Sequence, residues 1–167
     1  MKFPKYTIRM HYISPLGPMT LAAADEKLVG IWFDGQKHQP DPSAWQQATE
    51  HPVLLACASQ LTEYFAGGRI EFELPFYLET GTPFQQRVWQ ALLQIPCGRT
   101  VSYGALSQGL AQASAVRAVA AAVGRNPLTI VVPCHRVVGS NGALTGYAGG
   151  LDRKRELLLL EDARPLV

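Results

Sequence analysis

The sequence predicts an α+β fold that begins with a small antiparallel β-sheet and one helix and continues as a mainly helical region with a helix-turn-helix. Three observations support this fold class. Short apolar runs alternate with turn formers near the N-terminus, apolar residues recur at helical spacing further on, and two short helices follow a strong helix-start signal. With 167 residues and 47% hydrophobic content, the chain is long and apolar enough to bury a sizeable core, which argues against disorder.

The first segment has the pattern of three strands and a covering helix. Its three short apolar runs occupy residues 7–13, 19–24 and 28–33. Turn formers such as Ser14-Pro15 and Asp25-Glu26 separate these runs, which predicts an antiparallel meander. After a polar stretch, apolar residues recur at helical spacing from Leu54 to Phe65, and Gly67-Gly68 ends them. One helix is therefore expected to cover the sheet.

A helix-start signal marks the beginning of a second part of the chain. In Gly81-Thr82-Pro83-Phe84-Gln85, a capping threonine precedes a proline at the first helical position and a glutamine three residues after the cap. An apolar stripe runs from Phe84 to Ile95, and Pro96-Cys97-Gly98 is expected to end the helix. We place the domain boundary here, with domains at residues 1–80 and 81–167.

Two further short helices have the spacing of a helix-turn-helix. They are predicted at residues 103–110, after the cap Ser102, and at residues 115–123, after the cap Ser114. The second helix consists of small side chains around Arg117. Close packing in the core explains such a composition, but a helix of small residues can also approach a DNA groove closely. The chain after Pro96 carries 8 basic and 4 acidic residues, which permits a polyanionic partner.

Cys134 stands out as a candidate nucleophile. The apolar, largely β-branched run 128–132 predicts a buried strand that presents the thiol at its end. A glycine-rich loop at residues 139–150 and a last helix at 152–161 follow. The adjacent His135 could help to form the reactive thiolate, but neighbouring side chains on a strand point to opposite faces, and such a pair also arises by chance.

The string from Pro133 to Gly139, Pro-Cys-His-Arg-Val-Val-Gly, closely resembles the active-site signature of the O6-alkylguanine-DNA alkyltransferases. Other strings resemble the same family in order and spacing over roughly residues 81–162, and the N-terminal sheet does so more loosely. These strings are Thr82-Pro83-Phe84-Gln85, Ile95-Pro96-Cys97-Gly98, Val101-Ser102-Tyr103, Arg117-Ala118-Val119, Asn126-Pro127, Gly146-Tyr147-Ala148-Gly149-Gly150-Leu151 and the run Lys154 to Glu161.

This resemblance implies a DNA-repair protein that transfers an alkyl group, in one irreversible turnover, from O6-alkylguanine to its own cysteine. O4-alkylthymine is a further candidate substrate. Cys134 would be the nucleophile, His135 would take its proton through a bound water, and Glu161 would hold the imidazole in the required tautomer. The Tyr103 hydroxyl would approach N3 of the base and the Ala148 N–H would approach O6, where both can neutralise developing charge.

The resemblance also implies how substrate and DNA are held. The pocket for the base would be lined by Val137, Tyr147, Ala148, Gly149 and Lys154. The partner would be double-stranded DNA, bound through its minor groove, with the damaged nucleotide rotated out of the stack. Contacts with the DNA would come from Arg117, Gln85, Ala118, Ala121 and Ser140, with Arg117 filling the gap. Gln85 has an alternative role as the cap of its own helix, and Asn126 would order the turn before the cysteine.

Several further expectations follow. Arg136 is expected to be a structural ion-pair partner, Cys57 a core residue, and the run Arg153 to Arg155 a solvated helix face. The transfer needs no cofactor, and we expect no metal site, because no cysteine precedes Cys57 to supply the zinc ligands that some relatives carry. No apolar run approaches the roughly 20 residues of a membrane helix. We expect a cytoplasmic protein that is monomeric when free and does not bind membranes.

Three other functions are compatible with parts of the sequence. A non-catalytic alkyltransferase-like protein binds the same lesions, but it typically carries tryptophan where this chain has Cys134. A cysteine hydrolase would use Cys134, His135 and Glu161 on an acyl substrate, and no separate signal indicates its oxyanion hole. A helix-turn-helix regulator would use Cys134 only as a structural residue.

Overall fold

A four-stranded sheet forms the N-terminal part of the computed structural model, which describes residues 1–162. The strands are β1 (Ile8–Ser14), β2 (Gly17–Ala24), β3 (Lys27–Phe33) and the short β4 (Gln46–Gln47). Their order is β3-β2-β1-β4, with antiparallel pairing among the first three and parallel pairing of β4 with β1. The predicted meander is therefore correct, and β4 adds an edge strand that its polar sequence did not indicate.

The helix α1 (Pro52–Phe65) covers this sheet as predicted. Its buried side chains include Leu54, Cys57, Leu61 and Tyr64, which recur at helical spacing and pack into the core. Burial raises the pKa of the Cys57 thiol to about 12, so this cysteine is inert at neutral pH. It is the core residue that its position on the apolar stripe predicts.

The helix α2 (Pro83–Leu92) begins with the predicted capping box. The Thr82 hydroxyl accepts a hydrogen bond from the Gln85 N–H, and the Gln85 side chain accepts one from the Thr82 N–H. The helix ends at Leu92 and does not extend to Ile95. The N–H groups of Gln94 and Ile95 donate to the carbonyls three residues earlier, which forms a 3-10-type end before Pro96. Gln85 therefore has the capping role, one of the two roles that its position allowed.

The helix-turn-helix consists of α3 (Tyr103–Gly109), a short 3-10 turn at Ala113–Ala115 and α4 (Val116–Gly124). Val119, Ala122 and Val123 bury one face of α4 in the core, while the opposite face is exposed. The indole N–H of Trp89 in α2 donates to the carbonyl of Ala122 at 2.8 Å, which fixes α4 against α2. Close core packing therefore explains one face of the alanine-rich helix and leaves the other open to a partner.

The run before Cys134 is buried, but it is not the strand that its β-branched composition predicts. It forms one parallel bridge with β3, in which the Ile31 N–H donates to the Pro127 carbonyl and the Ile31 carbonyl accepts from the Thr129 N–H. The chain then turns, because the Val132 N–H donates to the Leu128 carbonyl at 2.8 Å. Ile130 within this turn has a φ of 76°, a left-handed conformation that is rare for a β-branched residue.

The remaining elements close the fold around Cys134. A 3-10 turn at Cys134–Arg136 leads into β6 (Val137–Val138), which pairs in parallel with β5 (Val101–Ser102). The last helix is α5 (Leu151–Asp162). One hydrophobic cluster includes side chains from the sheet, α1, α2, α4 and α5, so the division into domains 1–80 and 81–167 stays a prediction. Residues 163–167 lie outside the described part of the chain.

No helix within residues 1–162 is long and apolar enough to span a membrane.

Candidate active site

Asn126 connects the turn at residues 128–132 to the sulfur of Cys134. Its side-chain amide donates to Cys134 Sγ at 3.1 Å and to the Val132 carbonyl at 2.7 Å, and its Oδ1 accepts from the Leu128 N–H at 2.9 Å. All the hydrogen-bonding groups of this buried amide are thus directed at the segment that carries the thiol. Asn126 was expected to order the turn, and the structure adds a direct contact with the sulfur.

The Cys134 thiol lies inside the protein, with 4% of the residue exposed. Burial raises its pKa, while the hydrogen bond from Asn126 and the charge of Lys154 act in the opposite direction and favour the thiolate. Because the net shift is upward, the thiol requires a base that removes its proton when it reacts.

His135 is completely buried and pairs with Glu161. Its Nε2 lies 2.8 Å from Glu161 Oε1, so the proton of the neutral ring belongs on Nε2. Nδ1 is buried and has no hydrogen-bond partner among the described residues, which leaves it as the acceptor. Burial lowers the pKa of His135, and the contact with Glu161 only partly offsets this effect. The ring is therefore neutral at pH 7 and able to accept a proton.

The Glu161 carboxylate is the centre of a buried network. Arg136 donates from Nε to Oε2 and from Nη2 to Oε1, both at 2.9 Å, and a further nitrogen of this guanidinium donates to the Ile95 carbonyl. The expected role of Arg136 as an ion-pair partner is confirmed. Tyr64 of α1 donates its hydroxyl to Oε1 at 2.8 Å. Burial raises the pKa of Glu161, but hydrogen bonds and charges from His135 and Arg136 outweigh it and lower the pKa well below its ordinary 4.5.

Lys154 is buried, so the expectation of a solvated face over Arg153 to Arg155 is wrong at this position. Helical spacing places Lys154 on the same face of α5 as Leu157 and Glu161, and that face points into the core. Its ammonium group donates to the carbonyls of Val137, at 2.5 Å, and Thr145, at 2.8 Å. Burial lowers the pKa of Lys154 to about 8.

Arg153 is half-buried, which also departs from that expectation. Its guanidinium lies 4.5 Å from the centre of the Phe33 ring and donates to the carbonyls of Leu16, at 2.9 Å, and Gly149, at 3.1 Å. Arg153 thereby joins the β1–β2 turn and β3 to the glycine-rich loop. Arg155 is exposed, as expected, and pairs with Asp152.

The loop that was assigned to the base pocket lies against the N-terminal sheet. Gly149 is buried, and a Cβ at this position would stand 2.7 Å from the Tyr147 ring and 3.1 Å from the Phe33 ring, so glycine is required. The Ala148 carbonyl accepts from the Lys37 N–H at 3.1 Å. Val137 is buried in β6. The Tyr147 hydroxyl is buried without a hydrogen-bond partner in residues 1–162, and burial raises its pKa well above 10.

Tyr103, at the start of α3, reaches the same loop. Its hydroxyl donates to the Gly146 carbonyl at 2.7 Å and lies 3.2 Å from the Thr145 carbonyl. Burial, assisted by Cys134, raises the pKa of Tyr103 to about 12, so the phenol stays protonated and remains a donor. The ammonium group of Lys154 lies 5.8 Å from the centre of the Tyr103 ring. The structure thus brings Tyr103, Lys154 and the loop together.

The residues assigned to DNA contacts lie at the surface. Arg117, Ala118 and Ala121 are exposed on the open face of α4, and Ser140 is exposed in the loop after β6. Gln85 is half-buried at the start of α2, where its side chain caps the helix. A smooth helix face with one long basic side chain is suited to a groove of nucleic acid.

Sequence reasoning missed Tyr64 as a member of the network. The signal was available, because a buried tyrosine on an apolar helical stripe needs a partner for its hydroxyl. The sequence did not identify that partner, because Tyr64 and Glu161 are 97 positions apart. No group of three or more His, Cys, Asp and Glu side chains in the described part of the chain is arranged to hold a metal ion.

Fold and site together define a class of protein that combines a helix-turn-helix with a buried cysteine. The histidine next to this cysteine pairs with a buried carboxylate. Two family models match the sequence. The ribonuclease-like domain of 6-O-methylguanine DNA methyltransferase matches residues 8–78, and the DNA binding domain of that protein matches residues 83–163.

Individual relatives agree with these models. The chain is 47% identical over 152 residues to the methylated-DNA–protein-cysteine methyltransferase of Mycobacterium bovis, covering 90% of each chain. It is 45% identical to the constitutive enzyme of Bacillus subtilis, covering 87% of this chain and 89% of that protein. A crystal structure of Mycobacterium tuberculosis OGT in complex with DNA superimposes with a TM-score of 0.87 at 44% identity, covering 93% of each chain.

The chain therefore belongs to the methylated-DNA–protein-cysteine methyltransferase family, which repairs DNA by alkyl transfer. These comparisons give no support to a cysteine hydrolase or a helix-turn-helix regulator.

Acidification is expected to destabilise the protein in two steps. In the folded state the pKa of His135 lies below its ordinary 6.5, so below about pH 6.5 the unfolded chain binds more protons. The lowered pKa of Glu161 contributes stability above pH 4.5, and this contribution is lost as the pH falls further. Both groups therefore reduce the free energy of unfolding on acidification, which urea denaturation between about pH 2.5 and 7 would measure.

Glu161→Gln is expected to lower the free energy of unfolding at pH 7 by about 3–5 kcal/mol, because it leaves the buried Arg136 without its counter-charge. The variant should also lose the part of the pH dependence below pH 4.5. Glu156→Gln, on the exposed face of the same helix, is the matched control. Wild-type stability in the Glu161 variant would contradict the assigned network.

Proposed function

We propose that Cys134 of this chain accepts the alkyl group of O6-alkylguanine in DNA. The observation that carries the proposal is the buried arrangement in which Asn126 contacts Cys134 Sγ and the adjacent His135 pairs with Glu161. Attack by sulfur forms an S–C bond, and the bond between the alkyl carbon and O6 breaks with its electron pair left on the guanine. The product is a thioether that water cannot cleave, so each molecule would act once.

His135 is the base in this proposal. The thiol proton moves to Nδ1 through one water molecule, and Glu161 stabilises the imidazolium that forms. The support is the buried Nδ1, which has no hydrogen-bond partner in residues 1–162, together with the contact of Nε2 with Glu161. Asn126 and Lys154 add a hydrogen bond and a positive charge that favour the thiolate.

The glycine-rich loop and Tyr103 would hold the base. Donation from the Tyr103 hydroxyl to N3 and from the Ala148 N–H to O6 would neutralise the charge that develops on the leaving guanine. Tyr103 is suited to this role, because its raised pKa keeps it protonated; its one donor would exchange the Gly146 carbonyl for N3 when the base binds. Val137, Tyr147, Gly149 and Lys154 complete the pocket in this proposal, and the Tyr147 hydroxyl has no partner in the described chain to compete with a ligand.

We propose that double-stranded DNA binds through its minor groove to the exposed face of α4 and that the damaged nucleotide is rotated out of the stack. The open face of small residues, Ala118 and Ala121, allows close approach, and Arg117 fills the gap that the nucleotide leaves. Ser140 and the start of α2 at Gln85 would contact phosphates. The related Mycobacterium tuberculosis structure contains DNA, which supports DNA binding by the shared fold.

A reactive thiol that acts once must remain reduced until it meets the lesion, and this requirement favours the cytoplasm. We propose that the free protein is a monomer there and needs no cofactor for the transfer.

Intact-mass spectrometry with duplex DNA that carries one O6-methylguanine tests the acceptor. We expect the wild-type protein to gain the mass of one CH2 group in stoichiometric amount and Cys134→Ala to gain none. Cys57→Ala is the matched control, since it also removes one buried thiol but should still gain the CH2 mass. Alkylation of Cys134→Ala would refute the assignment, and lesion binding without any mass gain in wild type would indicate a binding protein.

Arg117→Ala tests the proposed filling of the DNA stack. We expect methyl transfer from duplex DNA to slow at least about tenfold, because rotating the nucleotide out costs a few kcal/mol that Arg117 would offset. Transfer from a short single-stranded oligonucleotide should change little. Arg155→Ala, which removes an exposed arginine from α5, is the control for lost charge. Equal slowing on both substrates would contradict the stacking role and indicate loss of general DNA affinity.

A further inference from the structure

Tyr64 joins the N-terminal half of the protein to the active-site carboxylate. Its hydroxyl donates to Glu161 Oε1 at 2.8 Å, and the same oxygen receives His135 Nε2 at 2.8 Å and an Arg136 nitrogen at 2.9 Å. The other oxygen of Glu161 is bound by Arg136 Nε at 2.9 Å. The tyrosine hydroxyl and the imidazole therefore compete for one carboxylate oxygen.

We propose that Tyr64 is a positioning residue that sets the proton affinity of His135 through Glu161. This inference rests on the proposed function, in which His135 takes the thiol proton. The proposal adds a residue of α1 to the reaction and so gives the N-terminal part of the chain a chemical role.

The direction of the effect follows from the shared oxygen. Each donor on a carboxylate withdraws part of the negative charge that is available to the others. The Tyr64 hydroxyl therefore weakens the attraction between Glu161 and a protonated His135. Without this hydroxyl, the carboxylate would stabilise the imidazolium more strongly and the pKa of His135 would rise. The hydroxyl thus helps to keep the imidazole neutral and ready to accept a proton near neutral pH.

The tyrosine is held firmly enough to act in this way. Its side chain is completely buried, and its ring contacts Phe65 at a centroid distance of 5.5 Å and Phe72 at 5.4 Å. Glu161 is equally enclosed and cannot turn away without breaking its two bonds to Arg136. The hydroxyl therefore has a fixed orientation towards Oε1.

Several ionisable groups act on His135, and Glu161 among them accepts the hydrogen bond from the Tyr64 hydroxyl. Glu161 on α5 raises the pKa of His135, while Lys154 on α5 and Arg136 on the 3-10 turn that carries His135 lower it.

Tyr64→Phe tests the proposal, because it removes the hydroxyl and keeps the ring. The matched control is Tyr12→Phe. It removes an exposed hydroxyl of β1 that forms a hydrogen bond with Thr62, a residue of α1 like Tyr64. The measurement is the single-turnover rate of methyl transfer as a function of pH, together with the 15N titration of the His135 ring. We expect the acid-side midpoint of both curves to rise by about half a pH unit in Tyr64→Phe and to stay unchanged in Tyr12→Phe.

An unchanged midpoint in folded Tyr64→Phe would overturn the proposal, since a purely structural role would alter stability without moving the titration. If Tyr64→Phe does not fold, replacement of Tyr64 by 3-fluorotyrosine keeps the ring and makes the hydroxyl a stronger donor. The midpoint should then move down, and an upward or absent shift would overturn the proposal. His135→Gln separates the two hypotheses: a retained acid limb and rate in that variant would refute His135 as the base, whereas absence of methyl transfer in the wild-type protein would refute the proposed function.

Discussion

The buried Glu161 carboxylate is the interaction on which the rest of the site depends. It accepts hydrogen bonds from the imidazole and the guanidinium of the neighbouring His135 and Arg136 and from the phenol of the distant Tyr64. A carboxylate in such surroundings is stable only while these donors are in place, because burial without them would be costly. The position of His135 is therefore coupled to the packing of α1 and α5, and the geometry of the site is a property of the whole fold.

The segment between Asn126 and Cys134 shows the same dependence on distant elements. β3 supplies the one bridge that holds this segment, and the Asn126 side chain supplies the bonds that a regular strand would have provided. Ile130 is held in a left-handed conformation within it, the kind of local strain that folds retain near functional sites. The N-terminal sheet thus acts as a support for the cysteine as well as for the glycine-rich loop.

Local signals were sufficient for much of the fold. The capping box at Thr82, the alternation of apolar runs and turns before Phe33, and the helical spacing of α1 all depend on neighbouring residues, and the structure agrees with them. Failures occurred where distant contacts outweigh composition. The run before Cys134 looked like a strand, and Lys154 looked solvated between two arginines. The pairing of His135 with Glu161 came from family resemblance and not from periodicity, and the contact of Tyr64 with Glu161 had no sequence signal that named its partner.

The rate of methyl transfer in Glu161→Gln, expressed per folded molecule, tests the central role of this carboxylate most directly. Single-turnover transfer to Cys134 would be followed at a temperature where circular dichroism shows the variant to be folded. We expect a loss of at least about tenfold relative to wild type, because a neutral amide stabilises the imidazolium far less than a carboxylate does. A wild-type rate in the folded variant would contradict the account and restrict Glu161 to a structural role.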